Sequence, residues 1–334
     1  MKRDFVKTVS ITSIVLSIIA IGSVIFVMGR EELNSEAHYK DMIKKHYQVF
    51  SPIIPNSVSF CGEKLPLDNI FVREALDREL TTIMYNHSTT FLVIKRSQRY
   101  FPEIEKVLKE EGVPEDLKYL AVAESGLANV VSPAKAEGYW QFLSPTAKEY
   151  GLEVGDYWDD RYDIKASTRA AARYLKQKYS SFNNNWALAA ASYNAGEKGV
   201  RDRLREQSCD NYWEMFTNTE TSRYVYRMVA YKIIMENPQN YGYYIRTKDK
   251  YPPIPTKQVK VDSTITNLYE FAKAMNVPYL YLKRLNPALR DKQLINKNNK
   301  TYIINLPDDN SLSYRFLIDD YKNERVEIID ENEI

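Results

Sequence analysis

The segment 101–238 most constrains the fold, because helix-forming stretches follow one another there without the two-residue alternation typical of strands. Proline and two acids at 114–116 mark a helix start, and Asp163 is a typical N-cap for the alanine-rich run after it. Gly196 is a typical end for the helix before it. The sequence therefore predicts a mainly α-helical core.

The same signals give approximate bounds for the predicted helices. Within the core the first helix opens at Phe101 and ends near Gly112, and the second opens at Pro114 and has Glu124 within one or two turns of its end. Three more cover Ala166 to Tyr179, Trp186 to Asn194 and Glu220 to Glu236. Apolar spacing predicts further helices within 67–100 that pack on this core, after extended or loop structure in 51–66.

Residues 9–28 are uncharged and rich in isoleucine and valine. A helix of that length, at ~1.5 Å per residue, spans about 30 Å, the thickness of a bilayer core. Lys2, Arg3 and Lys7 precede it, so we expect 1–8 in the cytoplasm and the rest of the chain across the membrane. A cleaved signal peptide is the alternative, although the stretch is long for one and ends without a small-x-small cleavage site.

Composition bounds the function. The net charge of +2 differs from the strong basic excess of a dedicated nucleic-acid binder, so we expect no nucleic-acid partner. Cys61 and Cys209 fit no redox or metal spacing, and cysteine and histidine do not cluster at ligand spacing. We therefore predict no metal and no cofactor. The two cysteines either stay unpaired or form one disulfide between the N-terminal segment and the core.

Glu124 is the candidate for acid chemistry. It lies in the run Ala-Val-Ala-Glu-Ser-Gly-Leu, an apolar setting that disfavours a charged carboxyl. Breaking a glycosidic bond requires a proton for the leaving oxygen, and a carboxylic acid supplies it at neutral pH only if its pKa rises towards roughly 6. By itself Glu124 also fits an ordinary surface glutamate near a helix end.

Two other segments offer groups for carbohydrate binding. Residues 138–142, Gly-Tyr-Trp-Gln-Phe, combine two rings suited to stacking on pyranose faces with Gln141, whose amide suits a sugar hydroxyl or acetamido group. Tyr193 and Asn194 stand at the end of an alanine-rich helix, where side chains can face a cleft. Plain structural roles, a buried tryptophan in one segment and a helix cap in the other, are the alternatives.

A series of motifs in fixed order resembles the soluble lytic transglycosylase family, which has the goose-type lysozyme fold. They are Glu124-Ser125-Gly126-Leu127, Val131-Ser132-Pro133, Gly138 to Phe142, Ser144 to Ala147, Tyr150-Gly151-Leu152, Asp160 to Asp163, Ser167 to Ala171, Ala190 to Gly196 and Glu220 to Val225. The later run Asn-Pro-Gln-Asn-Tyr-Gly at 237–242 makes the chain most similar to the membrane-bound transglycosylase D branch. The resemblance covers roughly 101–242.

The resemblance implies a bacterial peptidoglycan lyase. Glu124 would be first the acid on the bond between N-acetylmuramic acid and N-acetylglucosamine, then the base on the muramic C6 hydroxyl, which closes a 1,6-anhydro ring. The substrate's own acetamido group would stabilise the cation, so no protein nucleophile is needed. The implied substrate-binding residues are Ser132, Gln141, Tyr193, Asn194, Glu220 and Tyr224.

Two rival functions remain open at this point. A hydrolytic lysozyme on the same fold would need a second residue to place a water, and Asp156, Asp159, Asp160 and Asp163 are the available acids. Their clustering in one loop favours turn and capping roles instead. An inactive envelope scaffold is the other rival, although Glu124 is retained.

Members of the D branch often carry LysM repeats after the catalytic domain. We identify no convincing one in 259–307, where the pattern predicts strand, helix, helix and strand. We interpret this module as a structural cap, with a degenerate glycan-binding module as the alternative. Prolines make 246–258 a stiff linker, and 308–334 is a charged tail.

The predicted fold class is mainly α: a lysozyme-like, goose-type catalytic domain over 101–245, with an N-terminal transmembrane helix and a small C-terminal α+β module. Residues 29–100 would form a periplasmic stalk and a helical extension. We expect a single-pass protein of the bacterial inner membrane, a monomer with its catalytic domain in the periplasm. Its partners would be glycan strands, with cell-wall synthesis or division complexes as further candidates.

Overall fold

The structure is a computed structural model that describes residues 50–297, 299–308, 312–314 and 317. The predicted cytoplasmic segment, membrane anchor and most of the stalk lie outside the described residues, as does nearly all of the charged tail. In the described ranges, no helix combines the length and the apolar character needed to cross a bilayer.

The described part of the chain is mainly helical, as predicted. Its α-helices are α1 (Ile70–Tyr85), α2 (His87–Glu111), α3 (Lys118–Ser125), α4 (Ser144–Glu149), α5 (Ile164–Ser181), α6 (Trp186–Ala195), α7 (Glu197–Gln207), α8 (Thr219–Glu236), α9 (Leu268–Ala274) and α10 (Tyr279–Leu285). Its strands are β1 (Ser59–Phe60), β2 (Glu63–Lys64), β3 (Val130–Val131), β4 (Glu137–Gly138), β5 (Thr256–Val261) and β6 (Tyr302–Pro307).

Side-chain caps begin several of these helices. The carboxylate of Asp163 accepts the N–H of Ala166 at 2.7 Å, which confirms the predicted N-cap of α5. Asn185 and Asn218 act in the same way for α6 and α8. Each cap satisfies one of the N–H groups that an isolated helix leaves unpaired at its start.

The core lies among the long helices. Helix α8 packs against α1 and α3, and α5 packs against α2 and α6. The shared interior holds fully buried aliphatic and aromatic side chains, among them Leu76, Leu80, Ile104, Leu120, Trp140 and Leu175. The short helix α3 is thereby held by its neighbours, since eight residues are too few for a helix to be stable in isolation.

Two expectations for the core were wrong. Pro102 does not open a helix but lies inside α2, which runs for 25 residues. The proline removes one backbone hydrogen bond, yet buried residues on both sides, such as Val93 and Leu108, keep the two halves packed on one core. A strand pair was also missed: β3 and β4 form a short antiparallel hairpin, with Val130 opposite Gly138.

The C-terminal module has the predicted α+β composition. Strands β5 and β6 pair antiparallel, with Thr256 opposite Pro307 and Val261 opposite Tyr302, and α9 and α10 lie between them in sequence. The module has its own apolar core, built on Leu268, Leu282, Leu294 and Ile304. Trp158, which comes from the loop before α5, packs into that same cluster.

Candidate active site

Glu124 lies in the last turn of α3, which ends at Gly126 in the left-handed conformation with φ of 58°. The preceding residues of this helix, 118–122, are buried, whereas Glu124 is half-buried. The phenol of Tyr224 donates a hydrogen bond to Oε1 of Glu124. Tyr224 is itself buried on α8, so the helix that packs on α3 supplies the partner of the carboxyl.

Burial raises the pKa of Glu124 to about 7, well above the ordinary value of 4.5. The Tyr224 hydrogen bond and the positive charge of Arg227 lower this pKa, and the negative charge of Glu220 raises it. Glu220, Tyr224 and Arg227 are spaced four and three residues apart, which puts them on one face of α8. A carboxyl with this pKa can both give and take a proton near neutrality.

Tyr193 and Asn194, at the end of α6, connect this site to its surroundings. The phenol of Tyr193 donates to the carbonyl of Trp140 at 2.8 Å. Burial raises the pKa of that phenol, and the negative charge of Glu124 raises it further. The amide of Asn194 donates to Glu220 at 3.1 Å. The end of helix α6 therefore brings two of the predicted site residues close to the face of α8 that carries Glu220 and Tyr224.

Ser132 and Gln141 lie on the β3–β4 hairpin and the loop that follows it. The hydroxyl of Ser132 accepts the N–H of Ala136 at 2.9 Å, which closes the hairpin turn. The amide N–H₂ of Gln141 donates to the carbonyls of Val130 and Gly138, at 2.9 and 2.8 Å. These bonds give both residues a structural role in the hairpin, and their contacts with a glycan stay predictions.

The hairpin is bonded directly to the residue after Glu124. The hydroxyl of Ser125 donates to the carbonyl of Tyr139 at 2.7 Å. Together with the bond from Tyr193 to Trp140, this joins Ser125 and Tyr193, which lie near the carboxyl, to the turn that follows β4. Any shift of the hairpin therefore moves the groups around Glu124.

The expected stacking of Tyr139 and Trp140 on sugar rings is wrong. Trp140 is fully buried and its indole N–H donates to Thr168 at 2.9 Å, and Tyr139 is 5% exposed and packs on Tyr100. A buried indole usually finds a hydrogen-bond partner for its N–H, and Thr168 is that partner here. Both side chains belong to the core, and their backbone carbonyls accept the bonds from Ser125 and Tyr193.

Glu79, Arg223 and Arg227 form an ion cluster beside the site that the sequence analysis missed. Glu79 of α1 is 1% exposed, and its carboxylate pairs with Arg223 at 2.6 Å and Arg227 at 3.6 Å. Arg78 also pairs with it at 3.2 Å. The arginines stand one helical turn apart on α8, but nothing in the sequence indicates that their partner comes from a helix about 150 residues earlier.

Comparison with known proteins gives two family matches. Residues 101–216 match the transglycosylase SLT domain, and residues 257–310 match the soluble lytic transglycosylase C-terminal LysM-like domain. This chain contains an SLT transglycosylase domain. The family predicted from the ordered motifs is thus confirmed.

Similar proteins include the membrane-bound lytic murein transglycosylase D of Escherichia coli strain K12, which is 30% identical over 200 residues. That match covers 58% of this chain and 43% of the relative, so the chain spans less than half the length of that relative. Among solved structures, an inactive mutant of the lytic transglycosylase Slt from Pseudomonas aeruginosa is 24% identical with a TM-score of 0.35, covering 46% of this chain and 26% of its own. The 70 kDa soluble lytic transglycosylase of Escherichia coli is 19% identical with a TM-score of 0.38, covering 49% and 30%.

The aspartates near the end of the SLT domain's central loop have structural partners. Asp159 is buried and pairs with Arg161 at 2.7 Å, and Asp160 accepts the indole N–H of Trp158 at 2.6 Å. Asp163 caps α5, and Asp156 is exposed. Asp159, Asp160 and Asp163 thus serve turn and capping roles, as the sequence favoured.

The interpretation that 259–307 contains no LysM repeat is corrected by the LysM-like match over 257–310. Cys61 and Cys209 are free thiols in the structure, so of the two alternatives for the cysteines the unpaired one holds.

Proposed function

We propose that this chain is a peptidoglycan lytic transglycosylase, with Glu124 as its single acid and base. The observation that carries the proposal is the half-buried Glu124 carboxyl, which receives the Tyr224 phenol and has its pKa raised to about 7 within an SLT domain. The bond cleaved would be the β-1,4 bond between N-acetylmuramic acid and N-acetylglucosamine.

In the first step, protonated Glu124 gives its proton to the glycosidic oxygen while the bond from C1 of muramic acid to that oxygen breaks. The acetamido oxygen of the substrate stabilises the positive charge that develops at C1. In the second step, the Glu124 carboxylate takes the proton of the muramic C6 hydroxyl as that oxygen bonds to C1. The products are a free N-acetylglucosamine end and a 1,6-anhydro-muramic end, and Glu124 is protonated again.

The surroundings of the carboxyl support this cycle. Burial favours the neutral acid needed first, while the Tyr224 hydrogen bond and the Arg227 charge stabilise the carboxylate needed second. We assign Tyr193, Asn194 and Glu220 to the walls of the catalytic subsite, because they lie where the end of α6 meets the face of α8 that carries Tyr224. Ser132 and Gln141 would meet the glycan from the hairpin.

A hydrolase would need a second group that activates water. Asp159, Asp160 and Asp163 are held in ion pairs, hydrogen bonds and a helix cap, which favours the lyase over the hydrolase. Glu220 is the other acid whose charge reaches Glu124, and it is held by the amide of Asn194.

Mass spectrometry of the products tests the proposal. Purified peptidoglycan is treated with wild type, Glu124→Gln, Glu220→Gln, and Glu149→Gln as an exposed control on α4 of the same domain. We expect 1,6-anhydro-muramic ends from wild type and the control, and a loss of roughly 10²- to 10⁴-fold for Glu124→Gln. Products one water heavier, lost in Glu220→Gln, would assign a hydrolase, and no product from wild type would assign a scaffold.

We also propose that residues 9–28 anchor the protein in the bacterial inner membrane, with the SLT domain in the periplasm. Support comes from the uncharged stretch and the basic residues before it, and from a relative that is named as membrane-bound. The substrate would then be the glycan strands next to that membrane, and cell-wall synthesis or division complexes would be in reach as partners.

A further inference from the structure

The LysM-like module contacts the SLT domain through a continuous set of bonds to its 153–162 loop. The N–H of Asp159 donates to the carbonyl of Ala288, and the N–H of Arg290 donates to the carbonyl of Tyr157, both at 2.9 Å. Trp158 pairs with Leu289 as a β-bridge and is 7% exposed within the module's own core. The module is therefore docked on the loop by backbone as well as side-chain contacts.

Side chains extend this docked surface on both sides. The guanidinium of Arg290 lies 3.6 Å from the ring centroid of Tyr162. Glu153 accepts bonds from Lys300 at 2.6 Å and from the Tyr302 phenol at 3.0 Å. Ion pairs and cation–π contacts depend on orientation, whereas apolar burial does not. These contacts therefore help to fix the orientation of the module on the loop.

The same loop holds the β3–β4 hairpin. The Tyr162 phenol donates to Glu137 of β4 at 2.5 Å, and the guanidinium of Arg161 pairs with Glu137 at 3.1 Å. Arg161 also donates to the carbonyl of Phe142 at 3.3 Å. A Cβ on Gly138 would lie 1.9 Å from the Arg161 carbonyl oxygen, so loop and hairpin backbones touch.

The hairpin in turn is bonded to two residues near the Glu124 carboxyl. Ser125 donates to the carbonyl of Tyr139, and Tyr193 donates to the carbonyl of Trp140. Direct contacts thus connect the module to the 153–162 loop, the loop to the hairpin, and the hairpin to the residues around the Glu124 carboxyl.

We propose that the LysM-like module is a positioning element of the catalytic site. Its segment 288–290 holds the 153–162 loop, and this loop, through Arg161 and Tyr162, holds the hairpin beside Glu124. The catalytic part of this inference rests on the proposed function. Coupling between the module and the hairpin can be measured without turnover.

The test uses the full chain with Arg290→Met and Glu153→Gln combined, which removes the cation–π contact to Tyr162 and the negative charge that faces Lys300, and leaves the buried residues of both domains in place. The control combines Arg284→Met, exposed on α10, with Glu149→Gln, exposed on α4. Hydrogen exchange is followed by mass spectrometry in peptides over 130–142, with helix α1 as the internal reference. We expect exchange in 130–142 to be about 3- to 10-fold faster in the docking variant and unchanged in the control.

Activity on a short glycan, too small to reach the module while bound at Glu124, gives the second readout. We expect kcat to fall by a similar factor of about 3 to 10 with little change in KM, because the contacts act on the hairpin and not on the substrate. Unchanged exchange in 130–142 would overturn the proposal. So would a loss confined to KM for long glycan strands, which would assign the module to glycan binding instead.

The two readouts separate this proposal from the proposed function. Faster exchange in 130–142 with full kcat would overturn the catalytic role of the module and leave the lyase assignment intact. A wild type without activity on any glycan would remove the proposed function, and exchange alone would then decide whether the module holds the hairpin.

Discussion

The protonation of a single residue, Glu124, sets the expected pH dependence. Its pKa of about 7 lies above the ordinary 4.5 because burial disfavours the charged form. The acid is therefore present below about pH 7 and is lost as the pH rises through that value. We expect kcat/KM to fall about tenfold per pH unit above 7, measured on a soluble glycan from pH 4 to 9. A fall in kcat/KM with its midpoint near pH 4.5 would contradict the raised pKa.

Arg227 and Glu79 make a second prediction about the same carboxyl. The groups that face Glu124 are Glu220, Tyr224 and Arg227 from α8 and Tyr193 from α6. Arg227 lowers the pKa of Glu124. Arg227→Gln removes that positive charge, so the fall in kcat/KM should move to higher pH. Glu79→Gln removes the negative partner of Arg227 and should move that fall to lower pH.

Shifts of opposite sign, each roughly half a pH unit, cannot come from a general loss of stability. Glu79 also faces Arg78 and Arg223, so Arg223→Gln is the matched control, since it breaks a pair with Glu79 without removing a charge that acts on Glu124. Carbon-13 NMR of labelled glutamate gives the same titration without substrate. Shifts of the same sign in both variants would refute the coupling.

At the scale of elements, the β3–β4 hairpin depends on Gly138. Its φ is +85°, and a side chain there would overlap the Arg161 carbonyl oxygen at 1.9 Å. We expect Gly138→Ala to lower the free energy of unfolding by roughly 2–4 kcal/mol, the sum of left-handed strain and forced backbone movement. Gly62→Ala is the control, because Gly62 has the same φ of +85° with nothing within 4 Å, and it should cost about 1 kcal/mol. Equal losses in urea unfolding would contradict the steric argument.

The elements also show how far sequence patterns reach. Helices whose ends carry strong signals, such as Asp163 before α5 and Gly196 after α6, were predicted nearly to the residue because caps and left-handed glycines act locally. Pro102 misled the prediction, since its local cost is outweighed by packing that the sequence does not display. The hairpin escaped because two-residue strands have no period to detect.

The candidate site divides in the same way. Glu124 was found from an apolar setting and an ordered set of motifs, and Tyr224 and Tyr193 do lie beside it. The sequence left two alternatives open for Trp140, because an aromatic ring looks alike in sequence whether it lines a cleft or fills a core, and the structure shows the buried one. Glu79 was missed because its partners are brought to it only by tertiary packing of α1 on α8.

On the scale of the whole molecule, the SLT domain and the LysM-like module share one buried tryptophan. Trp158 belongs to the SLT domain by sequence, packs with the module's core, and has its ring 4.9 Å from that of Tyr302. Because a side chain of the SLT domain fills part of the module's core, the module's core is incomplete without that domain. The two should therefore unfold together, in a single calorimetric transition in which the calorimetric and van't Hoff enthalpies agree.

Trp158→Ala should separate that transition into two. The substitution leaves a cavity in the module worth roughly 3–5 kcal/mol, while the main helical core keeps its own packing. Trp186→Ala is the matched control, since Trp186 is 8% exposed, stacks on Tyr179 at 4.0 Å and lies in the main core. It should lower the temperature of the single transition without dividing it. Two transitions in the wild type would mean that the module folds independently of the SLT domain. One transition in Trp158→Ala would mean that the other contacts of the docked surface couple the two domains without the Trp158 side chain.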